Sequence, residues 1–284
     1  MFLALVVTIL IAVRPLDIAV VALLAGATLL VAVMLVDDLR GLRAREKLLA
    51  QVVAAAIAVG LGIRIDAISA PFGGVLELQL GLAVPLTLFW IVGMMNAVNF
   101  MDGLDGLAAG VSVIAALVLV ALSDRLGLPQ AAELALAIAA VGLGFLPFNA
   151  YRARIIMGDT GSHLLGFTLA VVAILGPAKL ATAILVLGVP ILDVAWSIVR
   201  RIMRRSGVGQ RDAGHLHHRL WEAGLPQPAV AALYFALTGA AGLIALLVER
   251  VYKAYAFAGL AAVVILMLVV LARLPRRRTT GDAV

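Results

Sequence analysis

Residues 16–36 read LDIAVVALLAGATLLVAVMLV and run straight into Asp37-Asp38. A helix crosses a bilayer in about 20 residues, and this stretch has that length with a single charge, Asp17. Outward from it the pattern repeats. Apolar runs at 1–13, 47–63, 82–98, 107–122, 131–147, 161–176, 180–198, 229–248 and 254–272 bring the candidate spans to ten. Of the 284 residues, 64% are hydrophobic and 13% charged, against about 45–50% and about 25% in ordinary globular domains. An open sheet cannot satisfy its backbone in lipid. The expected fold class is therefore an all-α polytopic membrane protein of about ten transmembrane helices. The first run is short for a crossing, and it lacks the basic start and small-residue cleavage site of a signal peptide. The absence of Cys excludes disulfides, thiolate nucleophiles, iron–sulfur clusters and cysteine-based zinc sites.

The net charge of +6 speaks of topology before nucleic acid, because Lys and Arg placement orients a membrane protein. Sixteen of the 22 basic residues fall in one set of connections, among them Arg40, Arg43, Arg152, Arg154, Arg200 and Arg273. The positive-inside rule makes that set cytoplasmic. On the opposite side, residues 64–80 break the helical pattern. Leu76, Leu78 and Leu80 alternate with Glu77 and Gln79 after a Pro71-Phe72-Gly73-Gly74 turn, which predicts a short periplasmic β-hairpin over the helix ends. The expected organisation is one transmembrane domain over 1–272 and a basic tail over 273–284, near anionic headgroups.

Four polar motifs interrupt the apolar sequence: Asp37-Asp38, NFMDGLDG at 99–106, GDTGS at 158–162 and HLHH at 215–218. All four fall on the basic side. Carboxylates and histidines are costly near a bilayer, so four clusters on one face point to a pocket that handles something highly charged. Asp37 and Asp38 end a helix, where the macrodipole disfavours negative charge. A divalent cation or Lys47 would relieve their repulsion; a solvated helix end tied to Arg40 and Arg43 is the bland reading. Gly103 and Gly106 permit a tight turn and close ligand approach. Asp102 and Asp105 share a face if the segment is helical, and Asp105 is also placed to cap the next helix. At 158–162, free amides at a helix start favour phosphate, and Asp159 suits Mg²⁺. On that motif alone, capping by Asp159 or Thr160 is the simpler account. His215, His217 and His218, flanked by Arg211 and Arg219, fit phosphate better than zinc, since there is no Cys and no HExxH pattern. A basic loop resting on anionic lipid is the bland alternative. His163, one turn into a span, reads as a core residue.

Taken together, VDD at 36–38, NAVNFMDGLDGLAAG at 96–110, MGDTGS at 157–162 and HLHHRL at 215–220 closely resemble the polyprenyl-phosphate N-acetylhexosamine-1-phosphate transferase family. That family holds the MraY and WecA/TagO-like enzymes; the HLHHRL form is nearer the WecA/TagO branch. The resemblance runs from Val36 to about Pro226. It implies a multi-pass enzyme of the bacterial cytoplasmic (inner) membrane with its active site on the cytoplasmic face. Its reaction would move a sugar 1-phosphate, GlcNAc-1-phosphate by default, from a UDP-sugar to polyprenyl (undecaprenyl) phosphate, releasing UMP, with Mg²⁺ or Mn²⁺. By position it implies catalytic roles for Asp37, Asp38, His215, His217 and His218. It implies substrate contacts from Lys47, Asn99, Asp102, Asp105, Arg211 and Arg219, and a metal on Asp159. The implied partners are the UDP-sugar, the polyprenyl phosphate and membrane lipids, with no nucleic acid; a homodimer would be in keeping with helical membrane enzymes. The family pattern also places a further helix and a Pro- and Gly-rich loop ahead of position 1. It carries Phe where Ile156 stands and Lys or Arg where Ala213 stands. A truncated non-catalytic member and a transporter of polyprenyl-linked sugars are the alternatives.

Overall fold

The computed structural model describes residues 1–69, 74–175, 179–204, 215–249 and 252–273. Every predicted run folds as helix, giving twelve helices among the described residues. In order they are α1 (Phe2–Ala12), α2 (Ile18–Arg40), α3 (Ala44–Gly60), α4 (Leu80–Met101), α5 (Leu107–Arg125), α6 (Pro129–Asn149), α7 (Gly158–Ile174), α8 (Lys179–Val186), α9 (Gly188–Arg204), α10 (Leu216–Glu222), α11 (Gln227–Leu247) and α12 (Tyr252–Arg273). A two-stranded antiparallel sheet, β1 (Ala67–Ser69) with β2 (Val75–Glu77), pairs Ala67 with Glu77 and Ser69 with Val75. The hairpin is thus where the alternation placed it, with most of its turn outside the described residues.

Of the ten expected spans, six or seven are met by length and composition among the described residues. Six helices, α2, α4, α5, α6, α11 and α12, are long and apolar enough to cross a membrane, or seven if α8 and α9 form one bent span. The single span predicted at 180–198 is broken by a 74° bend. Pro190 supplies the cause: its missing amide leaves the Val186 carbonyl without a helical partner, and its ring clashes there. The helix restarts at Gly188, with the Ile191 amide donating to the Leu187 carbonyl at 3.0 Å. A Cβ on Gly188 would lie 2.6 Å from Leu260 of α12, so the bend is packed. The apolar helices α1 and α7 are shorter than a full crossing. α7 is buried from Gly161 to Ala173, so protein rather than lipid satisfies its surroundings.

Small residues set the helix spacing around α7. Gly166 lets it meet α4 so closely that a Cβ would sit 2.6 Å from the Met95 backbone. Gly26 of α2 makes room for the Phe167 ring of α7, whose Cζ would lie 2.4 Å from a Cβ there. Close backbone approach through small residues is how helices associate where burial against lipid gives no driving force. Leu3, Val7 and Ile11 on α1 and Leu266 and Val270 on α12 point outward, as a lipid-facing surface requires. The ends of α2, α4 and α6 and the starts of α3, α5 and α7 all meet at one end of the bundle, which gathers three of the four polar motifs; α10 brings the fourth.

Candidate active site

The site is built on α7. Its first turn leaves amides without helical partners, and a carboxylate from another helix takes them. Asp38, at the end of α2, accepts the Asp159 amide at 2.9 Å, the Thr160 amide at 3.1 Å and the Thr160 hydroxyl at 2.6 Å. The cap expected from Asp159 or Thr160 is therefore supplied by Asp38. Gly158 is required here: its φ is +68°, and a Cβ would lie 2.9 Å from Asp38 Oδ2.

Freed from capping, the Asp159 carboxylate faces a cation. Lys47 Nζ lies 2.7 Å from Asp159 Oδ2 and 2.6 Å from Asp37 Oδ2. Asp37 is buried, and its other oxygen accepts the Leu42 amide at 2.6 Å. The repulsion between adjacent aspartates is thus resolved by splitting them: Asp37 turns to Lys47, Asp38 to the α7 N-terminus. Asn99, at the end of α4, donates to Asp159 Oδ1 at 3.1 Å and to the Ser162 hydroxyl at 3.0 Å. Below this layer runs a buried polar chain. The Asn96 amide donates to Gln51 Oε1 at 2.7 Å, Gln51 Nε2 lies 2.8 Å from His163 Nε2, and His163 Nδ1 lies 2.7 Å from the Asp159 carbonyl. The amide donating to Nε2 makes His163 an Nδ1–H donor to that carbonyl. His163 is a satisfied core residue, as predicted, and it also holds Asp159 from behind.

Asp37, Asp38 and Asp159 each place one carboxylate oxygen within 4.8 Å of the others. An all-oxygen, all-anionic donor set fits Mg²⁺ or Mn²⁺ and does not fit zinc. The sequence offered a cation at Asp159 and, separately, as one remedy for Asp37-Asp38; the fold brings the three carboxylates together.

Asp102 follows α4 as its C-cap. Burial, and then the negative charges of Asp159, Asp38 and Asp105, push its carboxyl up to about 7. Asp105 does not cap α5. Gly106 holds that position at φ +72°, and Asp105 Oδ2 instead accepts the Ala153 amide at 3.0 Å, tying the turn to the α6–α7 connection.

The histidine motif approaches from the far side of the same turn. His215 stacks on Phe100 with ring centroids 4.8 Å apart, and His217 and His218 follow at 5.8 and 4.3 Å along the row. A Cβ on Gly103 would lie 2.8 Å from His217 Nε2 and 3.1 Å from His218 Nε2, so only glycine lets the rings seat on the Asp102–Gly103 turn. Burial, then the electrostatic influence of neighbouring His218 and His215, holds His217 well below the ordinary imidazole range. Arg219 does not turn toward this row. It pairs with Glu222 at 3.7 Å and donates to the Leu271 carbonyl of α12. Arg211 lies outside the described residues.

The chain matches the glycosyl transferase family 4 over residues 20–177. The chain belongs to this family. Its relatives include a probable undecaprenyl-phosphate N-acetylglucosaminyl 1-phosphate transferase of Bacillus subtilis, 40% identical over 72% of this chain and 59% of the relative. A decaprenyl-phosphate N-acetylglucosaminephosphotransferase of Mycobacterium leprae is 36% identical over 77% and 62%. A phospho-N-acetylmuramoyl-pentapeptide-transferase of Pelotomaculum thermopropionicum is 40% identical over 72% and 68%. This family member spans about 60% of the length of the first two relatives. The match covers three of the four motifs, since HLHH lies beyond residue 177.

Three polar residues that sequence reading passed over belong to the site's support. Gln51 and Asn96 were hidden at the ends of apolar runs. Asp193 sat inside the run at 180–198, where an acid in a membrane span was itself the signal.

Proposed function

We propose that this member of glycosyl transferase family 4 transfers a sugar 1-phosphate, by default GlcNAc-1-phosphate, from a UDP-sugar to polyprenyl phosphate at the cytoplasmic face of the bacterial inner membrane, releasing UMP. The observation that carries the reading is the Asp37–Lys47–Asp159–Asp38 cluster at the basic end of the bundle. The names of the relatives supply the substrate class.

In chemical terms an oxygen of the lipid phosphate attacks the phosphorus that bears the sugar. A new P–O–P linkage forms, the bond to the UMP phosphate breaks, and its electron pair leaves with UMP. The lipid phosphate has a second pKa of about 6 and is largely dianionic at neutral pH, so a strong base is not needed. The difficulty is bringing a dianion against a diphosphate, and phosphoryl transfer is governed by positioning and electrostatics. Asp159, with Asp37 and Asp38, would hold Mg²⁺, which when bound neutralises charge on the diphosphate. Lys47 adds a fixed positive charge between Asp37 and Asp159. Asn99 fixes the Asp159 rotamer, and the histidine row offers imidazole nitrogens to phosphate oxygens across the Asp102–Gly103 turn. Broken helices such as α8–α9 occur in transporters, but the acidic cluster lies at one end of the bundle, where surface chemistry needs it.

The test is UMP release by purified protein given polyprenyl phosphate and UDP-GlcNAc, with Mg²⁺ or with EDTA. Release that requires both the lipid and the metal supports the reading. Folded protein that releases no UMP from any UDP-sugar contradicts it.

A further inference from the structure

Asp193 is 4% exposed, lies on α9 and is far in sequence from every motif. Its carboxylate nonetheless reaches the start of the histidine motif. Oδ1 accepts the Leu216 amide at 2.8 Å. Oδ2 lies 3.4 Å from His215 Nδ1 and 3.9 Å from His217 Nδ1. Both rings are buried, neither Nδ1 makes a hydrogen bond among the described residues, and Asp193 Oδ2 is the carboxylate oxygen that faces both. A buried carboxylate is costly unless paired, and a buried imidazole N–H is costly unless accepted. The Asp193 carboxylate is the charge set against both Nδ1 atoms, closer to His215 than to His217.

We propose that Asp193 is a positioning residue for the histidine motif, fixing His215 and His217 in the form protonated at Nδ1 so that Nε2 is presented to the Asp102–Gly103 turn. The geometry supplies the direction: His217 Nε2 is the atom that seats against Gly103, while its Nδ1 looks back at α9. Neutral imidazole carries one proton, and the group facing one nitrogen decides which nitrogen holds it. A carboxylate at Nδ1 keeps the proton there and leaves Nε2 as a hydrogen-bond acceptor. It is thereby available to a protonated phosphate oxygen or to a donor in the turn. Stacking of His215 on Phe100 keeps the first ring in the same row. The bend before α9 supports this role, because a straight 180–198 helix would follow a different course beyond Leu187.

A purely structural alternative exists. Asp193 would then only anchor α10 through the Leu216 amide. Asp193→Asn separates the two, because an asparagine side-chain oxygen still accepts that amide but no longer supplies charge to the imidazoles. The role in turnover rests on the proposed transferase reading; the tautomer does not.

The primary measurement is therefore nitrogen NMR of the full chain with ring-labelled histidine, since only four histidines, a pair of ring nitrogens each, have to be assigned. Wild-type protein is expected to show His215 and His217 as Nδ1–H. In Asp193→Asn at least one of them moves toward Nε2–H, while His163, held by Gln51 and the Asp159 carbonyl, keeps its state. Wild-type rings in the Nε2–H form, or rings unchanged in folded Asp193→Asn, overturn the proposal. The wild-type spectrum alone is decisive if the variant does not fold. Turnover of UMP is the second readout. Asp193→Asn is expected to lose about 10–100-fold, the scale for removing an outer partner of a functional histidine, with partial recovery in Asp193→Glu. Full turnover in Asp193→Asn overturns the positioning role. If wild-type protein itself shows no turnover, the transferase reading fails, and the spectra still decide the tautomer.

Discussion

Asp159 is the residue on which most of the site converges. Lys47, Asn99, the Asp38-capped amide and the His163 relay all act on it. Asp159→Asn is expected to abolish metal-dependent turnover, a loss of about 10²-fold or more by analogy with removing one preorganised electrostatic contact, while the melting temperature stays near wild type. Turnover assay and calorimetry on the same preparation check both halves. Asn99→Ala leaves the ligand in place but frees its rotamer. It is expected to weaken Mn²⁺ binding by about 10–100-fold, read by titration calorimetry. Asp102 gives the pH dependence. Its carboxyl is raised to about 7, so in the metal-free protein it is half protonated near neutrality. Divalent affinity should rise from about pH 6 to about pH 8 as that proton is displaced, and Asp102→Asn should flatten the rise. The sign for stability is the reverse. A folded pKa above the unfolded one means the metal-free protein loses stability as pH rises from the unfolded value to about 7, and holds level beyond. At this scale the sequence suggested the Asp37–Lys47 pairing that the structure shows, because charge in an apolar chain stands out. It did not assign the caps. Asp38 rather than Thr160 caps α7, and Asp105 spends its carboxylate on Ala153, since both partners are distant in sequence and local propensity cannot see them.

Among the elements, α7 is the scaffold whose placement fixes the site, and glycine makes that placement. A Cβ on Gly166 would strike the backbone of α4, which cannot turn aside as a flexible side chain can. Gly166→Ala is expected to lower stability by about 1–3 kcal/mol, the usual cost of overpacking, seen as a lower unfolding temperature in detergent. Asp38→Ala removes three contacts at the α7 N-terminus, and loss of a cap costs about 0.5–2 kcal/mol. The elements themselves were legible from hydropathy, and the hairpin from its alternation. The break between α8 and α9 was not, because an apolar run reads the same across a kink. Pro190 was the available signal, yet Pro85 and Pro147 lie inside continuous helices, so proline alone does not announce a bend.

For the whole molecule, the distribution of basic residues and the meeting of the motifs at one end are independent observations that agree. The chain lacks cysteine, so single cysteines report topology without a background. Arg43→Cys and Arg152→Cys are expected to react with an impermeant maleimide only in inside-out vesicles, and Arg64→Cys and Arg125→Cys only in right-side-out ones. The opposite pattern would reverse the membrane orientation and remove the site from a cytoplasmic UDP-sugar. Of the ten expected crossings, six or seven are met by length and composition among the described residues; an apolar run buried inside the bundle, as α7 is, reads the same in sequence as one that faces lipid. In the proposed reaction a phosphate moves together with the sugar. This is tested most directly with UDP-GlcNAc labelled in its β-phosphate, incubated with polyprenyl phosphate, Mg²⁺ and purified protein, followed by solvent extraction. The label is expected to enter the lipid phase in step with UMP formed in the aqueous phase. Label that stays aqueous as UDP while sugar enters the lipid would contradict the proposed reaction.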